Sequence, residues 1–186
     1  LMFHPYASIR GSFDAPLDGY RGPHIGLWSQ QFYETDASRG FLRGYTYQFS
    51  RGQGPVMNAV WGMGAGRIPW GADHHRAYRK WFDHSAGMLA ICEDLPEEHN
   101  TVTLDPVLKD AHGIPAPKID YTLSENSRRM LAHAVARGTE ILQAAGAQEI
   151  ATDAPLAAAG WHLMGTARMG TDPARSVVNE WGRCHD

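Results

Sequence analysis

The residues best placed for chemistry lie between Gly160 and Asp186, in the stretch GWHLMGTARMGTDPARSVVNEWGRCHD. His162 comes first, inside an apolar run of Trp161, Leu163 and Met164 that predicts a short buried strand. Gly165 and Gly170 then bracket Thr166, Arg168 and Met169 in what reads as a tight turn. Glycine lets a backbone approach a flat ligand closely, and an imidazole takes up a proton near neutral pH. A histidine at a strand end beside such a turn is suited to proton abstraction. A core histidine satisfied by hydrogen bonds fits the same spacing, and spacing alone favours it.

Other clusters carry less chemistry. His74, His75 and His84 invite a metal reading, but neighbours at i and i+1 point to different sides of a helix and share one ion poorly. Capping or solvated histidines account for them. Gly62-Met-Gly-Ala-Gly66 has the look of a nucleotide-binding turn. It lacks an apolar strand before it and an amphipathic helix after it, and Pro69 interrupts it. Cys92 and Cys184 stand far apart in no C-x-x-C pattern, which excludes a disulfide framework and a cysteine zinc site.

The elements that must position His162 follow from hydrophobic periodicity. Ile9, Gly11 and Phe13 alternate with Ser8, Arg10 and Ser12, and Tyr45, Tyr47 and Phe49 with Thr46, Gln48 and Ser50. Half-buried strands are predicted near 5–13, 26–33 and 43–50, with turns at Ala15–Asp18 and Asp36–Gly40. Their short connections favour antiparallel pairing. The polar faces of these strands read as solvent-exposed more readily than as a pocket floor, and no site residue is assigned on them. Residues 52–72, rich in Gly, Pro and Trp, read as an irregular loop. A helix is predicted from Ala72 to about His84, with Tyr78, Trp81 and Phe82 on one face. Met88–Cys92, Thr101–Leu104 and the run Ile119, Tyr121, Leu123 read as strands, separated by turns at Asp105-Pro106 and Gly113–Pro117.

The clearest helix starts after Ser124, an amino-terminal cap, with Glu125 in the first turn where the helix dipole favours a carboxylate. Met130, Leu131, Ala134, Val135, Gly138, Ile141, Leu142 and Ala145 form its apolar stripe, and Gly146 ends it. The fold class is α+β: a largely antiparallel sheet with helices packed on one face.

The totals set bounds. Hydrophobic residues at 43% and charged residues at 20% describe an ordinary globular protein. A net charge of −3 leaves no electrostatic footprint for nucleic acid. No apolar stretch approaches the roughly 20 residues that span a bilayer.

HLMGTARMGTDPARSVV resembles the carboxy-terminal signature of the glucose–methanol–choline (GMC) flavin oxidoreductases, and LMFHP resembles their passage from flavin domain to substrate domain. The nearest branch by resemblance is the bacterial one with gluconate 2-dehydrogenase flavoprotein subunits and choline-dehydrogenase-like proteins. The resemblance implies that 1–186 is a substrate-binding domain fragment. The Rossmann-type FAD domain and the final carboxy-terminal segment would lie outside it, with Leu1 inside a longer chain.

It further implies oxidation of a CH–OH group in an alcohol, sugar or sugar acid, with hydride passing to FAD. His162 matches the family's active-site histidine, and His185 precedes the segment that carries a second catalytic residue. No cofactor-binding residue is assigned within the chain, and FAD is not expected to bind this fragment. The partners implied are a small-molecule substrate and an electron acceptor, whether oxygen, a quinone or a cytochrome. Self-association through an exposed flavin-facing surface is expected. The rival readings are a metal-dependent hydrolase and a non-catalytic module that retains the fold.

Overall fold

The computed structural model describes residues 1–157 and 159–185. Five strands form one antiparallel sheet: β1 (Tyr6–Ser12), β2 (Ile25–Ser29), β3 (Tyr45–Ser50), β4 (Ser85–Cys92) and β7 (Glu149–Asp153). They lie in the order β2-β3-β4-β1-β7. A separate hairpin pairs β5 (Thr101–Lys109) with β6 (Pro115–Asp120). Three α-helices complete the fold, α1 (Pro55–Gly64), α2 (His74–Trp81) and α3 (Glu125–Ala144). The α+β class and the antiparallel sheet are as the sequence predicts.

Period-two alternation decides which face of the sheet is dry. Ala7 and Ile9 of β1, Tyr45 and Tyr47 of β3, and Met88, Ala90 and Cys92 of β4 are buried together with Met130, Leu131, Ala134 and Leu142 of α3. Each of the large side chains Met130, Leu131 and Leu142 contributes roughly 1.5–3 kcal/mol of transfer free energy, so α3 is held by its stripe. Ser124 caps the helix by accepting from the Ser127 N–H. Gly146 leaves it at φ +87°, a left-handed conformation that glycine adopts without cost. Gly138 brings the helix close to the sheet: a Cβ there would lie 3.1 Å from Ile9 Cδ1 and 3.2 Å from Met88 Sδ.

The structure corrects three expectations about elements and adds one strand. β1 pairs with β4 and β7 instead of β2, because the central place in the sheet goes to the strands that α3 covers. Residues 55–64, read as irregular, are helix α1, opened by Pro55 where the missing N–H costs nothing. Its glycines hid it: Gly62 is buried against Ile68, whose Cδ1 would meet a Cβ at 2.4 Å. Asp105 and Pro106 lie within β5, where Asp105 Oδ1 accepts from the N–H groups of Val107 and Leu108 at 2.8 Å. Finally, β7 at the sheet edge had no sequence signal, being short and half polar.

No helix among the described residues is long and apolar enough to cross a membrane.

Candidate functional site

The polar face of the sheet, opposite α3, is the floor of a cavity of about 620 Å³. Ser8 and Arg10 of β1, Gln48 and Ser50 of β3 and Leu89 of β4 line it. Met57 and Trp61, one turn apart on α1, form a wall. Tyr20 to Ile25 close another side, and Arg67, Asp153, Leu156 and Trp161 complete the rim. A cavity of this size, with Tyr20, Trp61 and Trp161 among its walls and a few convergent polar groups, has the character of a small-molecule site. The sequence preference for a solvated polar face is therefore corrected: Arg10, Ser12 and Ser50 are buried.

Arg10 is the charged group of the floor. It is 8% exposed, and its guanidinium donates to Ser50 Oγ at 3.2 Å and to Ser85 Oγ at 3.5 Å. No carboxylate pairs with it among the described residues. Burial first, and then the nearby Arg67 cation, push its pKa down to about 10. Burial also lowers Arg67, while Asp153 acts in the opposite direction there. Arg67 is held in place by its N–H bonding the Gly62 carbonyl at 2.9 Å and by its guanidinium lying 5.5 Å from the Trp81 ring centroid.

His162 lies one residue beyond Trp161 of the rim. It sits in a bend at φ +61° with its side chain exposed, and neighbouring Leu163 and Met164 are 64% and 52% exposed. The predicted short buried strand is thus an exposed strip, with only Met164 bridging to Met2. The strip is tied to the segment entering β1. Met2 and Met164 exchange backbone hydrogen bonds at 2.8 and 2.9 Å, and the His4 N–H reaches the Trp161 carbonyl at 3.4 Å. The Tyr6 and Trp161 rings meet edge to face at 5.2 Å. The His162 ring packs edge-on against His4 at 5.1 Å and makes no side-chain hydrogen bond among the described residues. Gly165, at φ +87°, lets the strip turn against Met2.

The rest of this stretch, as far as His185, folds on itself. His185 Nε2 lies 2.9 Å from Ser176 Oγ and 3.0 Å from the Gly170 carbonyl, which gives it a pinning role. Asp172 Oδ1 accepts from the Ala174 N–H at 2.9 Å. Elsewhere, His74 Nδ1 contacts the Pro69 carbonyl at 3.1 Å and its ring stacks near Tyr78, as a histidine serving its own helix does. Tyr45 belongs to the core and meets His133 Nδ1 at 2.8 Å.

The FAD implied by resemblance fits the described residues on one side only. Trp161, Leu163, Met164 and Met169 stand exposed around His162, an apolar strip suited to a flat ring. The helix amino termini do not suit a pyrophosphate. α2 opens on Asp73, α3 has Glu125 in its first turn, and α1 begins with Pro55, which has no N–H.

Residues 96–186 match the family model described as GMC oxidoreductase. The chain is 38% identical to a 2-methyl-1,2-propanediol dehydrogenase of Mycolicibacterium austroafricanum over 173 residues, 91% of this chain and 31% of that protein. It is 37% identical to the fructose dehydrogenase large subunit of Gluconobacter japonicus over 103 residues, 55% of this chain and 19% of that protein. It is 43% identical to a 6'''-hydroxyparomomycin C oxidase of Streptomyces lividus over 96 residues, 51% of this chain and 17% of that protein. The chain spans under a third of the length of each of these relatives.

Proposed function

Since residues 96–186 belong to the GMC oxidoreductase family, we propose that this chain is the substrate-binding part of an FAD-dependent oxidoreductase acting on the CH–OH group of an alcohol, sugar or sugar acid. FAD, when bound to the complete protein, supplies the acceptor for the hydride leaving the alcohol carbon. The residues of this chain bind and orient the alcohol and take its proton. Gln48, Ser8 and Ser50 offer hydrogen bonds to hydroxyl groups, and Trp61, Trp161 and Tyr20 offer apolar faces to carbon.

His162 takes the hydroxyl proton. The observation that supports this role is its free imidazole, exposed on the strip that continues from Trp161 at the cavity rim. An imidazole exchanges a proton readily near neutral pH, which suits it to act as a general base. The apolar strip beside it would lie against the flavin ring, while the phosphates would be held by the part of the protein outside this chain.

The test is His162→Ala in the full-length protein. Reduction of the flavin by alcohol should slow ~10²–10⁴-fold with flavin content unchanged. An unaltered reductive rate would remove His162 from the role. Residues 1–186 produced alone should show no stoichiometric flavin in the visible spectrum and should self-associate through the exposed strip. Bound FAD in that fragment would move the cofactor site into this chain.

A further inference from the structure

The buried cation in the cavity floor is a feature that alcohol oxidation does not require. A neutral alcohol needs hydrogen bonds and apolar contact, both of which the walls supply without Arg10. Burying a guanidinium costs free energy unless an anion or a full set of acceptors compensates it, and Arg10 has only two serine hydroxyls. The sheet is shaped to keep it there. Its neighbours across both flanking strands are small, Gly87 on β4 and Ala151 on β7, which leaves room for the side chain to lie along the floor.

From this geometry we propose that the cavity takes a hydroxy acid, a substrate whose carboxylate is bound by Arg10 with Arg67 beside it. The inference rests on the alcohol-oxidising reading above and names its substrate class. Two guanidiniums line the cavity, and Asp153 on the same rim offsets one of them. The remaining single positive charge matches a monoanionic carboxylate better than a dianionic phosphate. Arg10 is the one that faces no carboxylate, and a guanidinium presents the forked donors that a carboxylate accepts in pairs. Ser50 and Ser85 hold the guanidinium from one side and leave its remaining N–H groups for the ligand. The aromatic walls, Trp61, Trp161 and Tyr20, then take the carbon chain of the acid.

The test compares L-threonate with L-threitol, four-carbon polyols that differ by one carboxylate, by calorimetric binding to the full-length flavin-loaded protein. Threonate should bind ~10- to 100-fold more tightly, the range of a charge-assisted hydrogen bond. Arg10→Met should bring threonate binding down to the level of threitol, Arg10→Lys should keep part of the preference, and Arg67→Met should reduce it.

Equal binding of the two ligands by the unaltered protein overturns the proposal. This is also the result expected if a carboxylate from elsewhere in the full-length protein already pairs with Arg10. A uniform loss of both ligands in Arg10→Met overturns it as well. Because the wild-type ratio decides by itself, a variant that fails to fold leaves the test intact. Oxidation of neutral alcohols that depends on His162, with no carboxylate preference, would sink this inference and leave the proposed function standing. A carboxylate preference without alcohol oxidation would do the reverse.

Discussion

Arg10 on β1 donates to Ser50 Oγ on β3 at 3.2 Å although β4 runs between the two strands. The span is possible because Gly87 of β4 is the register partner of both residues. A side chain at that position would occupy the row along which the guanidinium lies. The floor of the cavity is thus a three-strand arrangement, with a cation on one strand, a hydroxyl on another and an empty place between them.

Gly87→Ala should therefore destabilise the fold by about 1–3 kcal/mol, the usual cost of overpacking. A Cβ there would stand 2.4 Å from the Ile9 carbonyl oxygen and 2.9 Å from Arg10 Cα, both backbone atoms with no rotamer to escape into. Alanine would ordinarily gain ~0.5–1 kcal/mol over glycine inside a strand, so the sign of the change reports which effect wins. Urea denaturation measures it. A variant as stable as its parent would mean that the row is not constrained.

Trp161→Ala removes the edge-to-face contact with Tyr6 that ties the His162 strip to β1. An aromatic pair of this kind is worth about 0.5–1.5 kcal/mol, so stability should fall only slightly. The reductive rate of the full-length protein should fall much further, by ~10- to 100-fold, since small misplacements of a catalytic group are costly. Trp161→Phe should recover most of the rate. Equal rates for all three proteins would show that the strip needs no such tie.

His133 gives the fold a pH dependence. Burial first, then the Arg137 and Arg39 cations, hold its pKa below the ordinary value, with Glu140 opposing. The folded state therefore binds this proton less readily than the unfolded chain does. The associated stability is fully present above the unfolded pKa of about 6.5 and is lost as pH falls through that value toward the folded pKa. Denaturation free energies measured above and below that pH should differ more for the parent than for His133→Phe. A parallel loss in both proteins would place the acid sensitivity at other groups.

By itself, the sequence determined the parts whose signal is local. Alternation in β1 and β3 sorted Ile9 and Tyr47 from Arg10 and Gln48 onto opposite faces, because strand side chains alternate whatever the neighbours are. Ser124, the stripe from Met130 to Leu142 and Gly146 delimited α3, because caps and a 3.6-residue period act within one segment. The residues around His162 marked the family that the match over 96–186 supports.

Tertiary structure decided what those parts enclose. The sequence could not say that β1 lies between β4 and β7, since strand pairing is set by contacts between distant residues. It hid α1, where Gly62 serves close packing on Ile68 and where the apolar residues face the cavity and solvent, so no core-facing stripe forms. The His162 strip read as a buried strand because Trp161, Leu163 and Met164 are apolar, yet they stand 47%, 64% and 52% exposed. Arg10 looked like a solvated strand residue, yet it is buried in the floor of a cavity whose other walls come from α1, the β1–β2 connection and residues 153–161. Burial is a property of what arrives from elsewhere in the chain, and that arrival turns a polar strand face into a binding floor.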